Sequence, residues 1–219
     1  MVSRLSIPQK STPAVMLHGM FGGPENWSSL LPHLPSNWYP LIPRIPFFDN
    51  EISLNSISAV FEYVQSYLDT IDSDHVVLMG NSLGGHIAAL LAVNISEQVR
   101  GLILTGSSGL FERGFTKVPG TRPHREWIYD RCREVFFDAC HVTDLMVQSV
   151  QEVIYDRRKV KILIQLAKSA KRDNIAEKLR QIICPTLLIW GKQDQITHRE
   201  VASEFHRSIS NSALVYLDN

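Results

Sequence analysis

Five short apolar runs punctuate the chain. Residues 14–17 (AVML) lead into His18-Gly19, residues 76–79 (VVLM) into Gly80 and residues 102–104 (LIL) into Thr105-Gly106. Residues 186–190 (TLLIW) lead into Gly191, and residues 213–217 (ALVYL) into Asp218. Each run has the length of a strand, and most end at glycine. The runs are continuous rather than alternating, which predicts strands covered on both faces, as in a parallel sheet. Residues 38–48 form a weaker strand candidate, because Pro40, Pro43 and Pro46 interrupt it. Helical spacing fills the gaps. Leu54, Ile57, Val60, Phe61, Val64 and Leu68 recur at helical intervals within residues 53–71. Residues 83–93 are rich in Ala, Leu and Ile. Residues 197–208 place Val201, Ala202 and Phe205 on one side, with Thr197 expected as N-cap. Strands alternating with helices predict right-handed βαβ units.

Residues 107–180 break this rhythm. No strand-like run followed by glycine occurs there. A loop over residues 110–123 is expected, then amphipathic helices, clearest over residues 144–154 and 160–170. An insertion of this size between two core strands predicts a cap over the strand ends. The expected organisation is a core of residues 1–106, a helical cap of residues 107–180 and a second core part of residues 181–219.

Length and charge narrow the function classes. The 219 residues suit one domain with a modest insertion. Lys and Arg together equal Asp and Glu at 22 each, so neither a nucleic acid nor an anionic membrane is expected as partner. Cys132, Cys140 and Cys184 form no C-x-x-C pair, which argues against a disulfide framework or a metal site. The first 13 residues lack the apolar core of a signal peptide. No apolar run reaches the roughly 18 residues of a membrane span. The expectation is a cytoplasmic protein with reduced thiols.

The candidate chemistry sits at the ends of the apolar runs. Gly80-Asn81-Ser82-Leu83-Gly84, followed by Gly85, matches G-x-S-x-G between a strand and a helix. Such a turn strains the serine backbone and presents its hydroxyl at a helix N-terminus, where free N–H groups favour negative charge. His18-Gly19-Met20-Phe21-Gly22-Gly23 follows the first run directly.

Together these motifs resemble the α/β-hydrolase family, over most of the chain from about Pro13. The resemblance implies the α/β-hydrolase fold, a mostly parallel sheet flanked by helices with an inserted helical cap. It implies Ser82 as nucleophile and the backbone N–H groups of Met20 and Leu83 as the oxyanion hole. Two such donors are the main stabilisers of a tetrahedral intermediate. It makes His18 structural. Asp194, after the fourth run, is implied as the acid that orients a histidine. Asp218 comes too late in the family's order. The histidine should follow the next strand, and none of the eight in the sequence fits that place. The expectation is therefore that these residues belong to a longer chain, with the histidine just past residue 219. At the other end, the family's two strands before the H-G strand have room for one at most.

The activity so implied is hydrolysis of a small-molecule carboxylic ester through an acyl-enzyme, with no cofactor and no metal. Asn81 and the Ser107-Ser108-Gly109-Leu110 run are similar to meta-cleavage-product hydrolases, which makes carbon–carbon bond hydrolysis the alternative. Those enzymes use a cap arginine, and Ser149 or Val150 falls near that place. Arg157, Arg158 and Lys159 read as a solvated face. A third reading, a non-catalytic ligand-binding member, gains weight if the chain ends at Asn219. Phe111, Phe115, Trp127, Phe136, Phe137 and Met146 are apolar enough to line an acyl pocket, although packing within the cap is favoured for each.

Overall fold

A computed structural model describes residues 4–49, 51–111 and 122–218. Six strands form one parallel sheet in the order β3-β2-β5-β6-β7-β8: β2 (Thr12–Leu17), β3 (Trp38–Leu41), β5 (Val76–Asn81), β6 (Val99–Thr105), β7 (Thr186–Gly191) and β8 (Ser212–Leu217). A separate two-stranded parallel sheet pairs β1 (Leu5–Ser6) with β4 (Ile71–Asp72). The helical spacing over residues 53–71 therefore resolves into α1 (Ile57–Leu68), capped by the Ser56 side chain, and the short β4.

All five apolar runs are strands, and Ala14, Val15, Met16 and Leu17 at the centre are completely buried. The central helix α2 (Leu83–Asn94) is apolar all round and buried from Leu83 to Ala92, as a helix wedged between sheet and outer layer must be. The sheet edges are unlike. On β3, Pro40 marks an edge strand that cannot use every ladder position. On β8 the residues alternate between two faces. Helix α6 (Arg199–Ser208) packs on one face, where Leu214 and Tyr216 join the main core, while Val215 and Leu217 on the other are 45% and 56% exposed.

Thr197 is not the N-cap of α6. His198 takes that position, and the Thr197 hydroxyl and amide donate to Asp194 instead.

Between β6 and β7 lies the helical insertion: α3 (Arg125–Arg133), α4 (Asp144–Tyr155) and α5 (Arg157–Arg172). Its expected loop lies largely outside the described residues, as does Phe115. Ile128, Cys132, Val142 and Val147 form a small apolar cluster of its own, against which Trp127 and Phe136 pack. Phe111 and Phe137 are exposed, and Met146 is half-buried.

Strand order reverses between β2 and β5. From β2 the chain steps outward to β3, then returns to the other side of β2. Such a switch point opens a crevice at the carboxyl ends of the strands. The H-G motif and Ser82 flank that crevice.

Candidate active site

Ser82 sits between β5 and α2 with φ 53° and ψ −121°, a backbone conformation that costs a non-glycine residue about 1–3 kcal/mol. Its neighbours hold it there. The Ser82 amide donates to the Thr105 carbonyl at 3.1 Å. Its carbonyl accepts from the amides of Gly85 (2.9 Å), His86 (3.2 Å) and Ser108 (3.1 Å). The turn needs close approach of backbone to backbone. A Cβ on Gly80 would lie 2.6 Å from the Gly85 Cα, and one on Gly84 would overlap the Leu17 carbonyl. No side chain fits between β2, β5 and α2 at those points.

The H-G turn presses against the serine. A Cβ on Gly19 would lie 3.2 Å from the Ser82 Cβ, so the following residue, Met20, is placed beside it. Among the described residues, neither the Met20 nor the Leu83 amide has a hydrogen-bond acceptor. Leu83 is the first residue of α2, where helix geometry leaves the amide unpaired. Leu83 follows Ser82 directly and Met20 follows Gly19, which packs against the Ser82 Cβ, so both unpaired donors lie close to the serine in the chain and in the fold.

His18 is buried and committed to structure. Its Nε2 accepts from the Ile45 amide at 2.9 Å, which requires the proton on Nδ1, and Nδ1 donates to the Gly19 carbonyl at 2.8 Å. Phe47 packs edge-on against the ring. Burial lowers its pKa, partly opposed by the Gly19 hydrogen bond and Glu25, so the neutral ring is kept.

Asp194 lies in the loop after β7. Its Oδ1 accepts from the amides of Ile196 (2.9 Å) and Thr197 (2.8 Å), and its Oδ2 from the Thr197 hydroxyl (2.9 Å). A carboxylate has about four acceptor sites, so one remains for a further donor. Gly106, with φ 47°, brings β6 against it: a Cβ there would lie 3.2 Å from Asp194 Oδ2. Gly106 directly follows Thr105, which hydrogen-bonds both the Ser82 amide and the Asn81 side chain. The ends of β5, β6 and β7 therefore bring Ser82 and Asp194 to one side of the crevice.

The other histidines are placed elsewhere. His198 reaches only the main-chain carbonyl of Asp194, at 3.1 Å. His86 is fully buried, with Nε2 on the Asp173 carbonyl. His75 contacts Arg100 and His206 contacts Ser212. His33, His124 and His141 are exposed. Asp218, just past β8, contacts Lys192 at 2.6 Å and Gln193 at 3.4 Å, so the chain leaves the sheet beside the Asp194 loop.

Sequence reasoning missed the Thr197 clamp, although the Asp-x-x-Thr spacing is that of a side chain closing a local turn. It also missed Ile45 and Phe47, which hold His18 from far along the chain.

Comparison with known proteins places the chain among hydrolases of this fold. The chain is 24% identical to mouse monoacylglycerol lipase ABHD6 over 97% of its own length and 70% of that protein's. An alpha/beta hydrolase enzyme, MGS-MChE2, from the metagenome of lagoon sediments at Mar Chica, Morocco, shares 32% identity. It superposes with a TM-score of 0.75, covering 95% of this chain and 81% of that one. The meta-cleavage product hydrolase CumD of Pseudomonas fluorescens IP01 shares the fold, with a TM-score of 0.77 at 20% identity over 95% of this chain and 83% of its own. The model of the alpha/beta hydrolase family matches residues 14–218, from the first buried strand to the end of the last, and the chain belongs to that family of hydrolases.

Proposed function

We propose that this hydrolase cleaves small-molecule carboxylic esters through an acyl-enzyme on Ser82. The observation that carries the reading is the strained Ser82 backbone with the unpaired Met20 and Leu83 amides beside it. In the proposed reaction Ser82 Oγ attacks the ester carbonyl carbon, and a histidine takes the hydroxyl proton. The carbonyl oxygen carries the negative charge of the tetrahedral intermediate. The Met20 and Leu83 amides stabilise it, each by roughly 3 kcal/mol of barrier. The intermediate expels the alcohol, which leaves with that proton. Water then attacks the acyl group, releases the acid and restores Ser82.

Asp194 orients the histidine and stabilises its charged form. We assign that histidine to chain following Asp218. Support comes from the contacts of Asp218 with Lys192 and Gln193, next to Asp194, and from the acceptor site left on the Asp194 carboxylate. The helical insertion between β6 and β7 covers the crevice as a cap in this reading, and the substrate enters between the two. The reaction uses no metal and no organic cofactor.

The test is the intact mass of the full-length protein with a fluorophosphonate, alongside hydrolysis of short p-nitrophenyl esters. One adduct, absent in Ser82→Ala, is expected. Asp194→Asn should lower kcat by about a thousandfold or more while the adduct still forms slowly. A protein that forms no adduct and cleaves no ester overturns the proposal. One that cleaves only a 2-hydroxy-6-oxo-dienoate would be a carbon–carbon bond hydrolase; a relative in Paraburkholderia xenovorans, 29% identical over 164 residues, is named as a hydrolase of 2-hydroxy-6-oxononadienedioate and 2-hydroxy-6-oxononatrienedioate.

A further inference from the structure

The zero net charge of the chain hides a partition. Residues 107–180 carry fifteen Lys and Arg against ten Asp and Glu, leaving seven against twelve in the rest. Much of the excess lies on one helix. Over its 16 residues α5 holds Arg157, Arg158, Lys159, Lys161, Lys168, Lys171 and Arg172, and no acidic residue.

Helical geometry sorts these charges. Leu166, Ser169 and Ala170 face inward and are buried. The Ser169 hydroxyl accepts from the Ile57 amide at 2.9 Å and donates to Asp173 at 2.6 Å, which anchors that face to the start of α1. On the opposite side, residues 157, 161, 164, 168 and 171 follow one another at intervals of three and four, so they form one continuous stripe. All five are exposed: Arg157, Lys161, Ile164, Lys168 and Lys171. Ile164 is 49% exposed at the centre of the stripe. Asp156 caps the helix beside Arg158 and Lys159, and Arg172 pairs with Asp173. The four cations of the stripe have no ion pair among the described residues.

We infer that the outer face of α5 docks on an anionic lipid surface. Four unpaired cations match the charge of the headgroups, and each long side chain can reach phosphate level while its stem stays apolar. The aliphatic side chain in their midst then enters the boundary between headgroups and acyl chains. A phosphate backbone of nucleic acid would satisfy the cations and leave Ile164 without a partner. The expectation of no anionic membrane partner rests on the net charge, which averages to zero over the chain, whereas the face proposed to meet the bilayer is cationic.

The test is co-sedimentation of the full-length protein with vesicles of phosphatidylcholine alone and of phosphatidylcholine with phosphatidylserine, at low and high salt. Binding is expected only where phosphatidylserine is present and should weaken with salt. Lys161→Gln with Lys168→Gln should weaken it by about tenfold or more. Lys161→Arg with Lys168→Arg should preserve it. Ile164→Ser should weaken it several-fold at unchanged charge. Hydrolysis of a soluble ester by the variants, with circular dichroism, checks that each is folded. Equal sedimentation with both vesicle types, or no loss in the glutamine variant, overturns the inference. So does salt-sensitive binding to an RNA duplex without binding to either vesicle.

Discussion

The sheet with its flanking helices and the insertion between β6 and β7 are built on different physical plans. In the former, one apolar cluster runs unbroken through β2, β5, β6, β7, α1, α2 and α6, with backbone contacts too tight for a Cβ. In the latter, four buried residues make a small cluster, and the outward surface is cationic. The contrast teaches where each kind of function can reside. Atoms that must be held within fractions of an ångström, as the proposed roles of Ser82 and the Met20 and Leu83 amides require, need the dense part. A surface that meets a partner needs little core and much charge.

The largest effect should come from disturbing the dense part at its tightest point. Gly84→Val drives a side chain into the Leu17 carbonyl, which cannot yield without separating α2 from β2. We expect a loss of at least about 4 kcal/mol, read as a collapse of the urea midpoint.

Next comes the junction between the two regions. His86, on α2, donates to the Asp173 carbonyl at the end of α5, and its Nδ1 has no partner among the described residues. Burial pulls its pKa down to about 4, opposed by the Asp173 hydrogen bond and charge and aided by Lys178. Above pH 6.5 the ring is neutral in both folded and unfolded chains. As pH falls toward 4 the unfolded chain takes up a proton that the folded one refuses, so stability drops by up to roughly 3 kcal/mol. His18, also lowered by burial, acts with the same sign. Urea midpoints measured between neutral pH and about pH 4 should fall steeply in the parent and less in His86→Gln.

A smaller effect should separate the regions. Ile128→Ala empties the centre of the insertion's cluster, at about 2–3 kcal/mol. Hydrogen exchange should speed up across α3 and α4 while β2 and β5 keep their protection. Uniform acceleration would show that the two regions unfold as one.

The smallest is a gain. Ser82→Gly relieves the positive φ, and the protein should become more stable by up to about 1 kcal/mol while losing its fluorophosphonate adduct.

Much of this architecture was legible because strands and tight turns are local. Continuous apolar runs, most of them ending at glycine, marked β2, β5, β6, β7 and β8, and the spacing of small residues around Ser82 marked the turn, since a side chain there has no room. The fold and its hydrolase family followed from those marks. Tertiary structure decided what depends on distant partners. Thr197 reads locally as a helix cap, yet the helix starts one residue later and the Thr197 hydroxyl and amide donate to Asp194, a contact that the loop after β7 brings about. His18 owes its neutral, structural state to Ile45 and Phe47, residues that no local pattern connects to it. The run at residues 213–217 marks a strand, but which helix packs on it is a tertiary matter: α6 covers the face that carries Leu214 and Tyr216. Net charge, a sum over the chain, was blind to the cationic stripe of α5, because the fold determines which charges share a face.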